Sequence, residues 1–454
     1  MNRYICIHSH FYQPPRENPW LEEVELQESA YPYHDWNERI TDECYAPNSA
    51  SRILDNESKI MDIVNNYTRM SFNFGPTLLS WMHRHEPEVY KAILDSDKKS
   101  QENFSGHGSA LAQAYNHMIM PLSNERDKET QVIWGMKDFE HRFKRKPEGM
   151  WLPETAVDIK TLEVLAEHKI KFTILAPHQA HAVRKIGEKV WQDVTGAKVD
   201  PKQAYLCKLP SGKSIVLFFY DGPIAQSIAF SDLLNSGEKF AQRLVETLPL
   251  DDRHASLAHI ATDGETYGHH HRFGDMALAY FFHHIISKNL AKITIYGEYL
   301  EKCPPTYEVA IYENTSWSCV HGIERWRSDC GCCSGMNAAW NQKWRAPLRK
   351  ALDKLRDDAA NIYEREMGLF VKFPWELRNH YIEVVLDRSV SNVEKFFNKY
   401  IEKRLLREDQ IKILRLLEMQ RHAMLMYTSC GWFFDDVSGI ETTQIIQYAA
   451  RVIQ

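Results

Sequence analysis

The sequence predicts an α/β fold in which seven strands form a closed or nearly closed barrel, followed by a helical region. In the first two-thirds of the chain, short apolar runs alternate with segments of helical period. That alternation is typical of a parallel sheet with helical crossovers. After about Tyr312 the strand signals stop and amphipathic helical patterns follow. The predicted domains are therefore a barrel over residues 1–311 and a helical domain over residues 312–454.

Seven apolar runs have the length and composition of buried strands. They are Tyr4–Ile7, Met70–Phe74, Gly149–Leu152, Lys171–Leu175, Ser214–Tyr220, Leu257–Ala261 and Ile293–Tyr296. Segments of helical period lie between them, namely Asn56–Asn66, Arg126–Phe143, Ile159–His168, Ser231–Thr247 and Asp275–Lys288. The helices predicted for the second region are Asn337–Met367, Trp375–Leu406, Asp409–Thr428 and Ile440–Gln454.

The composition excludes several classes of partner. The 55 basic and 61 acidic residues give a formal net charge of −6, and no block of like charge predicts binding to nucleic acid or to an anionic membrane. No stretch approaches the roughly 18 apolar residues that span a bilayer. The apolar run at the N-terminus is too short for a signal peptide, and the nine cysteines are scattered. We therefore expect a reduced, cytoplasmic protein.

Polar residues follow four of the predicted strands. His8, Glu154, Asp221 and Asp263 each stand at or just beyond the end of an apolar run. A single polar residue in that position usually caps the next helix. In a βα barrel, however, the residues past the carboxyl ends of the strands converge on one mouth and form the site. Four such residues together predict a functional site there.

Two kinds of metal site are conceivable from the histidines and cysteines, and neither has a standard spacing. A mononuclear site could combine His8, His10, Asp263 and His269, but none of these pairs matches the HExxH pattern. The cluster of Cys330, Cys332 and Cys333 has no partner CxxC or HxxxH in the sequence. We expect buried thiols there, and we predict no bound metal and no cofactor.

Paired carboxylates are the second possibility for the site. Glu154 follows an apolar strand and Pro153, which fixes the local backbone, and Asp263 ends another strand before Gly264. Two carboxylates at the ends of different strands can face each other across a barrel mouth. Retaining glycosidases need such a pair about 5–5.5 Å apart. The surrounding His, Trp and Tyr side chains are suited to bind hydroxyls and to stack on sugar rings.

Several segments of the chain resemble glycoside hydrolase family 57. HSHFYQPP resembles the first motif of that family, GHG the second, WLPE the third and TDGETYGHHH the fourth; they span residues 8–15, 106–108, 151–154 and 262–271. Residues 315–332 and 427–442 resemble a less characterised branch of family-57-like proteins. The insertion of Phe11 and Tyr12 before Gln13 departs from the compact first motif. The resemblance implies a distorted (β/α)7 barrel and a retaining, metal-independent mechanism on α-glucans or related α-glycosides.

The resemblance also implies roles for individual residues. Glu154 aligns with the nucleophile of the family and Asp263 with its general acid/base. The substrate-binding residues that we expect are His10, Gln13, His107, Trp151, Glu265, His269, Trp317, His321, Glu324 and Trp326. One of the three consecutive histidines, His269 to His271, is expected to face the site. The expected partner is an α-glucan or oligosaccharide.

Two other functions remain open from the sequence. A metal-dependent carbohydrate deacetylase or mannosidase with a related barrel would use the histidines as metal ligands, and a chelator would inactivate it. A non-catalytic glycan-binding protein would bind glucan without releasing sugar.

Overall fold

The computed structural model describes residues 2–249, 254–335, 337 and 339–454. Its strands are β1 (Arg3–Phe11), β2 (Ser51–Leu54), β3 (Ile60–Val64), β4 (Ser71–Phe74), β5 (Ala112–Gln113), β6 (Met150–Trp151), β7 (Phe172–Leu175), β8 (Ala180–Lys185), β9 (Gln192–Asp193), β10 (Ala204–Lys208), β11 (Ser214–Phe219), β12 (Ser256–Asp263), β13 (Lys292–Ile293) and β14 (Tyr307–Ile311). In the part of the chain described, no helix combines the length and the apolar character needed to cross a bilayer.

The helices alternate with strands in the first part of the chain and follow one another in the last part. They are α1 (Trp36–Ile40), α2 (Ala46–Ser49), α3 (Pro76–His85), α4 (Pro87–Asn103), α5 (Glu125–Phe143), α6 (Ile159–Glu167), α7 (Gly222–Phe230), α8 (Gly237–Val245), α9 (Gly274–Ser287), α10 (Tyr296–Lys302), α11 (Arg345–Met367), α12 (Pro374–His380), α13 (Ile382–Leu386), α14 (Val390–Tyr400), α15 (Arg407–Leu425), α16 (Cys430–Phe433) and α17 (Ile440–Ile453).

Seven parallel strands form the barrel, in the order β1, β4, β5, β6, β7, β11 and β12. Strand β1 pairs with β12 on one side and with β4 on the other, β5 pairs with β6, and β7 pairs with β11. Backbone bridges from Phe72 to Ala110 and from Gly149 to Phe172 connect the pairs into one ring. Between β11 and β12, the Asp221 amide donates to the carbonyl of His259 at 2.9 Å. The predicted α/β barrel is thereby confirmed.

The barrel is distorted because two of its strands are only two residues long. On the outside of the ring, β11 also pairs with the antiparallel strand β10, and the sheet continues through β14, β8 and β9. Eight of the nine residues of β1 are buried. Burial on both faces is typical of parallel strands whose outer face is covered by helices. It also means that polar side chains in β1 point either into packed protein or into the barrel.

One of the seven predicted barrel strands is wrong. At Ile293–Tyr296 the strand β13 contains only Lys292–Ile293, it pairs with the beginning of β1, and helix α10 begins at Tyr296. The barrel position is filled by β5, Ala112–Gln113, which the sequence did not indicate. A strand of two residues is too short to produce a recognisable alternation of apolar and polar side chains.

The predicted helix Asn56–Asn66 is also wrong, because this segment forms the hairpin of β2 and β3. The Asp55 carboxylate accepts hydrogen bonds from the amides of Glu57 at 2.8 Å and Lys59 at 2.9 Å. Such local bonds from an aspartate stabilise a turn at the expense of a helix. Ser58 adopts a positive φ of 63°, which a helix does not contain.

Most of the other predicted helices are close to those observed. Helices α5, α6 and α9 begin and end within one residue of their predicted bounds, and Asn124 and Asp158 cap the first two. The predicted helix Ser231–Thr247 is divided into a short 3₁₀ turn and α8. Asp409–Thr428 and Ile440–Gln454 correspond to α15 and α17.

Two predicted helices of the second region differ more from the structure. Of the predicted helix Asn337–Met367, only Arg345–Met367 is helical, and Ala338 lies outside the described residues. The predicted single helix Trp375–Leu406 is instead the three helices α12, α13 and α14, the last of which ends at Tyr400. Apolar periodicity continued across the breaks and concealed them.

The buried apolar side chains form two clusters, one inside the barrel and one in the helical region. The second cluster includes Tyr115 and Trp134, which belong to the barrel segment. Across this boundary, the buried Arg378 guanidinium bonds to Asp127 at 2.8 Å, and the Trp134 indole donates to the carbonyl of Arg378 at 3.2 Å. Removing one member of a buried ion pair typically costs about 3–5 kcal/mol, so the helical region is firmly fixed on the barrel.

Candidate active site

The two predicted catalytic carboxylates both lie at the carboxyl ends of barrel strands. Glu154 follows β6 and Asp263 is the last residue of β12. The strands are parallel, so these ends open at the same mouth of the barrel. Asp221, which follows β11, has a different role, because its carboxylate accepts from the amide of Ile224 at 3.0 Å and caps α7. Glu154 and Asp263 are thus the carboxylates that the strand ends bring to the mouth.

The backbone at Glu154 is strained. Glu154 has φ 58° and ψ 19°, and Thr155 has φ 51°, both in the left-handed region that side chains with a Cβ disfavour. Each such residue costs on the order of 1–3 kcal/mol and persists only where its surroundings enforce it. Here the Thr155 hydroxyl donates to the Gln179 side chain at 2.9 Å, and the Gln179 amide donates to the carbonyl of Thr155 at 2.9 Å. These bonds hold the Glu154 side chain in a fixed direction.

Two side chains from a loop beyond the barrel bind the Glu154 carboxylate. The Ser318 hydroxyl donates to Oε2 at 2.6 Å and the Trp317 indole donates to Oε2 at 2.8 Å. The Trp317 amide also donates to the carbonyl of Glu154 at 3.0 Å. Within the described part of the chain, both side-chain donors use Oε2, so Oε1 is the oxygen left to react. Burial raises the pKa of Glu154, while these two donors and the charge of Arg325 oppose that rise and favour the carboxylate.

Asp263 has a different electrostatic environment. Its side chain is accessible to solvent, yet protein surrounds it so closely that desolvation is the main cause of its pKa being well above the ordinary value. The negative charges of Glu265 and Glu154 raise the pKa of Asp263 further. The pKa values of both carboxyls are thus raised by burial, but only that of Glu154 is lowered again by hydrogen-bond donors, whereas neighbouring negative charge adds to the rise at Asp263.

Stacked rings form the floor beneath the two carboxylates. The imidazole of His8 stacks on the indole of Trp151 with ring centroids 4.9 Å apart, and the imidazole of His10 stacks on it at the same distance. The Trp317 ring meets Trp151 edge-on at 5.1 Å. In the pairing of β1 with β12, His10 lies opposite Asp263. The floor thus connects the strand that carries Asp263 with the segment that carries Glu154.

A chain of hydrogen bonds passes through two buried histidines. Asn73 donates from Nδ2 to His10 Nδ1 at 2.9 Å, so His10 carries its proton on Nε2 and donates to His117 Nε2 at 3.0 Å. His117 then donates from Nδ1 to the Ser429 hydroxyl at 2.5 Å. Burial lowers the pKa of His10 to about 3 and that of His117 well below the ordinary value. Both imidazoles are therefore neutral, and Ser429 extends the chain into the helical region.

Glu265 lies buried behind Asp263. Its Oε1 accepts from the amide of Tyr12 at 3.0 Å and from the hydroxyl of Tyr45 at 2.5 Å. Burial raises the pKa of Glu265 to about 7. The ring of Tyr12 stacks on His117 at 3.7 Å. Glu265 therefore anchors the segment after β1 and contributes the negative potential felt by Asp263.

Comparison with known proteins assigns the chain to a family. The sequence profile of glycosyl hydrolase family 57 matches residues 4–312, more than half of the chain. The chain belongs to glycosyl hydrolase family 57. Residues 340–454 match a second profile, described as a domain of unknown function, DUF3536.

Solved structures of the family share the fold. An exo-type maltose-forming amylase from Pyrococcus sp. ST04 is 17% identical with a TM-score of 0.73, and the alignment covers 100% of this chain and 78% of the amylase. A 4-alpha-glucanotransferase from Thermococcus litoralis is 14% identical with a TM-score of 0.58, covering 99% of this chain and 59% of that one. A family-57-type branching enzyme from Pyrococcus horikoshii is 15% identical with a TM-score of 0.59, covering 100% and 88%.

One curated sequence is similar over a shorter stretch. Alpha-amylase 1 of Dictyoglomus thermophilum is 21% identical over 202 residues, which are 44% of this chain and 26% of the amylase. The match thus spans about a quarter of that relative's length.

The family-57 barrel of this chain does not bring every predicted site residue to the carboxylates. Trp151 and His10 form the floor, Trp317 binds Glu154, and Glu265 lies behind Asp263. Gln13 is half-buried, and its side-chain oxygen accepts from Arg16 at 3.0 Å.

His107 lies at the opposite end of the barrel. Its ring nitrogens contact Glu148 at 2.7 Å and Glu301 at 2.6 Å. Glu148 precedes β6, so it lies at the end of that strand away from Glu154, and Glu301 belongs to α10. The first residue of α10, Tyr296, has its ring centroid 6.0 Å from that of His8. The structure therefore does not bring His107, a predicted substrate-binding residue, to the two carboxylates. The histidine of this segment that contacts His10 at the mouth is His117, ten residues later.

The remaining predicted contacts also have other partners. His269 contacts Glu43, and His271 contacts the carbonyl of Ala229 at 3.0 Å, so neither imidazole binds Glu154 or Asp263. His269 and His271 therefore do not meet the expectation that one of the three consecutive histidines faces the carboxylates. The indole of Trp36 meets the ring of His269 edge-on, with centroids 6.0 Å apart.

The fifth predicted group, from the segment after the barrel, is only partly at the site. Trp326 is fully buried in the helical cluster, and Glu324 bonds to Arg327 and to Ser328. His321 lies 3.5 Å from the sulfur of Cys332. The expected buried thiols are not observed, because Cys330 and Cys332 are half-buried and Cys333 is exposed, and folding brings His321 and Cys319 to the first two.

Sequence reasoning missed the side chains that hold the predicted ones in place. They are Asn73, Gln113, His117, Ser318 and Ser429. Ser318 is adjacent to Trp317 and could have been found from that neighbour. Ser429 is distant in sequence from the barrel, and no local pattern marks it.

Proposed function

We propose that this family-57 protein is a retaining glycoside hydrolase or transglycosylase that acts on α-glucans or related α-glycosides through Glu154 and Asp263. The observation that carries the proposal is the contrast between the two carboxyls. Glu154 is fixed and stabilised as an anion by Ser318 and Trp317, whereas Asp263 is held protonated by burial and nearby negative charge. A nucleophile and an acid with separated pKa values are what a double displacement requires.

In the first step, Glu154 Oε1 would attack the anomeric carbon of the bound sugar. The bond from that carbon to the leaving oxygen breaks, and the proton of Asp263 passes to the leaving oxygen. The product is an ester between Glu154 and the sugar. Glu154 then carries no charge, so the pKa of Asp263 falls because one of the charges that raised it is gone.

In the second step, Asp263 would take a proton from water or from the hydroxyl of an acceptor sugar. The oxygen so activated attacks the anomeric carbon, and the ester bond breaks to regenerate the Glu154 carboxylate. Water gives hydrolysis and a sugar hydroxyl gives transglycosylation. Two inversions at the anomeric carbon leave its configuration unchanged.

Buried polar atoms on the floor of the site support a hydroxyl-rich ligand. Among the described residues, His8 Nε2, Asn73 Oδ1, Gln113 Nε2 and Trp151 Nε1 are buried without a hydrogen-bond partner. Groups of this kind are normally satisfied by water or ligand, since leaving one unpaired costs about 1–3 kcal/mol. The rings of Trp317 and Tyr220, 6.4 Å apart, add flat apolar surfaces of the kind on which sugar rings stack.

The substrate class is supported by the related structures. Their names describe a maltose-forming amylase, a 4-alpha-glucanotransferase and a branching enzyme, so α-glucans are the first substrates to test. We propose the same class for this chain, and we propose residues 1–311 and 312–454 as its barrel and helical domains.

Incubation of the protein with amylose, glycogen and maltooligosaccharides tests the proposal. Proton NMR in the first minutes should show the α-anomer as the newly released reducing end, and product analysis should show new chain lengths or branches. Glu154→Gln protein, handled identically, provides the control for contaminating amylase. Initial release of the β-anomer would contradict the retaining mechanism, and glucan binding without any product would favour a non-catalytic binding protein.

A further inference from the structure

Four metal-binding side chains converge in the segment that joins the barrel to the helical region. Cys319 and His321 are separated by one residue, as are Cys330 and Cys332, and one donor atom from each lies within 4.8 Å of all the others. All three cysteines are free thiols. We propose that these four residues bind a structural Zn²⁺ ion. The proposal concerns a site away from the carboxylates and does not depend on the proposed glycosidase activity.

The distances between the donor atoms fit a tetrahedral zinc site. The sulfurs of Cys319 and Cys332 are 3.8 Å apart, and the sulfur of Cys332 is 3.5 Å from His321 Nδ1. With Zn–S bonds of about 2.3 Å and Zn–N bonds of about 2.0–2.1 Å, a tetrahedron has S–S edges of about 3.8 Å and S–N edges of about 3.6 Å. The two observed distances are therefore within about 0.1 Å of the tetrahedron edges. A disulfide would require sulfurs about 2.05 Å apart.

The set of donors indicates zinc and a structural role. Three thiolates and one imidazole form a Cys₃His set, which binds zinc tetrahedrally in closed structural sites. Four protein ligands leave no position for water, in contrast to catalytic zinc sites, which keep one open. Hard cations such as Mg²⁺ and Ca²⁺ prefer oxygen ligands and do not suit this set.

A buried arginine compensates the charge of such a site. Three thiolates and one Zn²⁺ carry a net charge of −1. Arg345 is fully buried, and its Nη1 lies 3.9 Å from the sulfur of Cys330. Its Nη2 donates to the carbonyls of Phe433 at 2.8 Å and Phe434 at 2.9 Å. A buried guanidinium beside a neutral thiol would be poorly compensated, whereas a zinc thiolate provides the missing negative charge.

The metal would fix the loop that positions Glu154. Cys319 directly follows Trp317 and Ser318, the two side chains that donate to the Glu154 carboxylate. Arg325, inside the segment that the metal closes, donates from Nη1 to the carbonyl of Ser318 at 3.0 Å. A metal bound to both ends of residues 319–332 would limit the motion of these donors. Trp317 and Ser318 are thus positioning residues, and the metal supports them from outside the site.

This site changes the meaning of inhibition by a chelator. Slow loss of activity with a strong chelator would reflect relaxation of the loop rather than a metal at the carboxylates. The two cases differ in the metal ligands. Substitution of Cys332 would remove a metal from the proposed site, but it would leave in place a metal bound by Asp263 and histidines.

The direct test is the metal content of the full chain purified under reducing conditions with zinc present during expression. Elemental analysis should give about one zinc per chain, as four ligands hold one ion. Cys332→Ser protein should contain much less zinc. Cys333→Ser is the matched control, because Cys333 is the exposed neighbour outside the four-residue group and should leave the zinc content unchanged.

A second measurement uses the unaltered protein, so that a misfolded variant cannot obscure the result. Cobalt exchanged into the site should give the intense visible bands of tetrahedral Co²⁺ together with thiolate-to-cobalt charge transfer. Wild-type protein free of metal, equal loss of zinc in Cys333→Ser and Cys332→Ser, or a disulfide between Cys319 and Cys332 would each overturn the proposal. If zinc is present but glucans are not cleaved, the metal site stands and the proposed function fails.

For the zinc-bound enzyme, the positioning role predicts a separate kinetic effect. Cys332→Ser should lower kcat on α-glucans several-fold, because it loosens the donors that fix the Glu154 carboxylate, and KM should rise as well because Trp317 is also a proposed sugar-stacking surface. Unchanged kcat in a zinc-free protein would show that the metal does not support Trp317 and Ser318.

Discussion

The two ends of the barrel contain histidines whose pKa values are shifted in opposite directions. At the base, His107 lies between Glu148 and Glu301; burial lowers its pKa, but the two carboxylates more than offset that effect and raise it. At the mouth, His10 and His117 are buried against each other and against rings, and burial lowers their pKa values. At the base, the two carboxylates favour the charged form of a histidine that links Glu148 to Glu301, while at the mouth burial favours neutral imidazoles that form a chain of hydrogen bonds.

The comparison shows that the surroundings, and not the residue type, separate a functional histidine from a structural one. The base and the mouth each contain carboxylates and histidines. At the base they pair with each other, whereas at the mouth the Glu154 carboxylate is bound by Trp317 and Ser318 and the imidazoles of His10 and His117 bond to each other. Of these two groups of carboxylates in the described residues, those at the mouth are therefore the ones not paired with a histidine.

Replacement of the nucleophile should have the largest effect. Glu154→Gln removes the attacking oxygen while keeping the shape of the side chain and its bonds to Trp317 and Ser318. We expect kcat on α-glucans to fall by roughly 10⁴-fold or more, comparable to losing the nucleophile of other covalent enzymes. Steady-state assays with a circular-dichroism check of folding measure this. Activity near that of the wild type would show that Glu154 is not the nucleophile.

Replacement of the acid should have the next largest effect. Asp263→Asn should lower kcat on natural glucans by roughly 10²–10⁴-fold, the usual contribution of general acid–base catalysis. The first step should be far less affected with an α-glycosyl fluoride, because fluoride leaves without a proton. Equal loss on glucans and on the fluoride would contradict the role of Asp263 as acid.

Breaking the histidine chain at the mouth should have an intermediate effect, and the base supplies its control. His117→Ala leaves His10 Nε2 without its acceptor at the floor of the site. An unsatisfied buried group costs about 1–3 kcal/mol. If this cost adds to the activation free energy, kcat falls by roughly 5- to 150-fold. His107→Gln should leave kcat within about twofold, since His107 is at the other end of the barrel. Similar losses of kcat in the two variants would remove the distinction between the ends.

The smallest effect is on stability and concerns His107. Its folded-state pKa is raised above the ordinary 6.5, so its ion pairs contribute fully below pH 6.5 and are lost as pH rises through the higher folded-state value. His107→Gln should therefore lower the free energy of unfolding at pH 6, by at most about 1 kcal/mol for partly exposed pairs, and should not change it at pH 9. Urea denaturation at the two pH values measures this. A loss that grows with pH would show that His107 is neutral in the folded protein.

The sequence predicted the fold class, six of the seven barrel strands and the two carboxylates, because long apolar runs and strand-terminal polar residues are local signals. It could not predict β5, whose two residues have no periodicity, or the turn of Asp55 that replaces a helix by a hairpin. It also could not distinguish His107 from His117, since both stand in one polar segment and only the pairing of strands decides which end each one reaches. The cluster of Cys319, His321, Cys330 and Cys332 was likewise hidden by its unusual spacing.

The central claim, that Glu154 attacks the sugar while Asp263 supplies and removes the proton, is tested most directly by trapping the intermediate. Asp263→Asn protein given an α-maltosyl fluoride should accumulate the glycosyl–enzyme, because the fluoride leaves without acid and the base for the second step is missing. Mass spectrometry of the intact chain should show one added maltosyl group, and peptide fragmentation should place it on Glu154. A sugar ester on any other residue, or fluoride release with an inverted product and no adduct, would contradict the account.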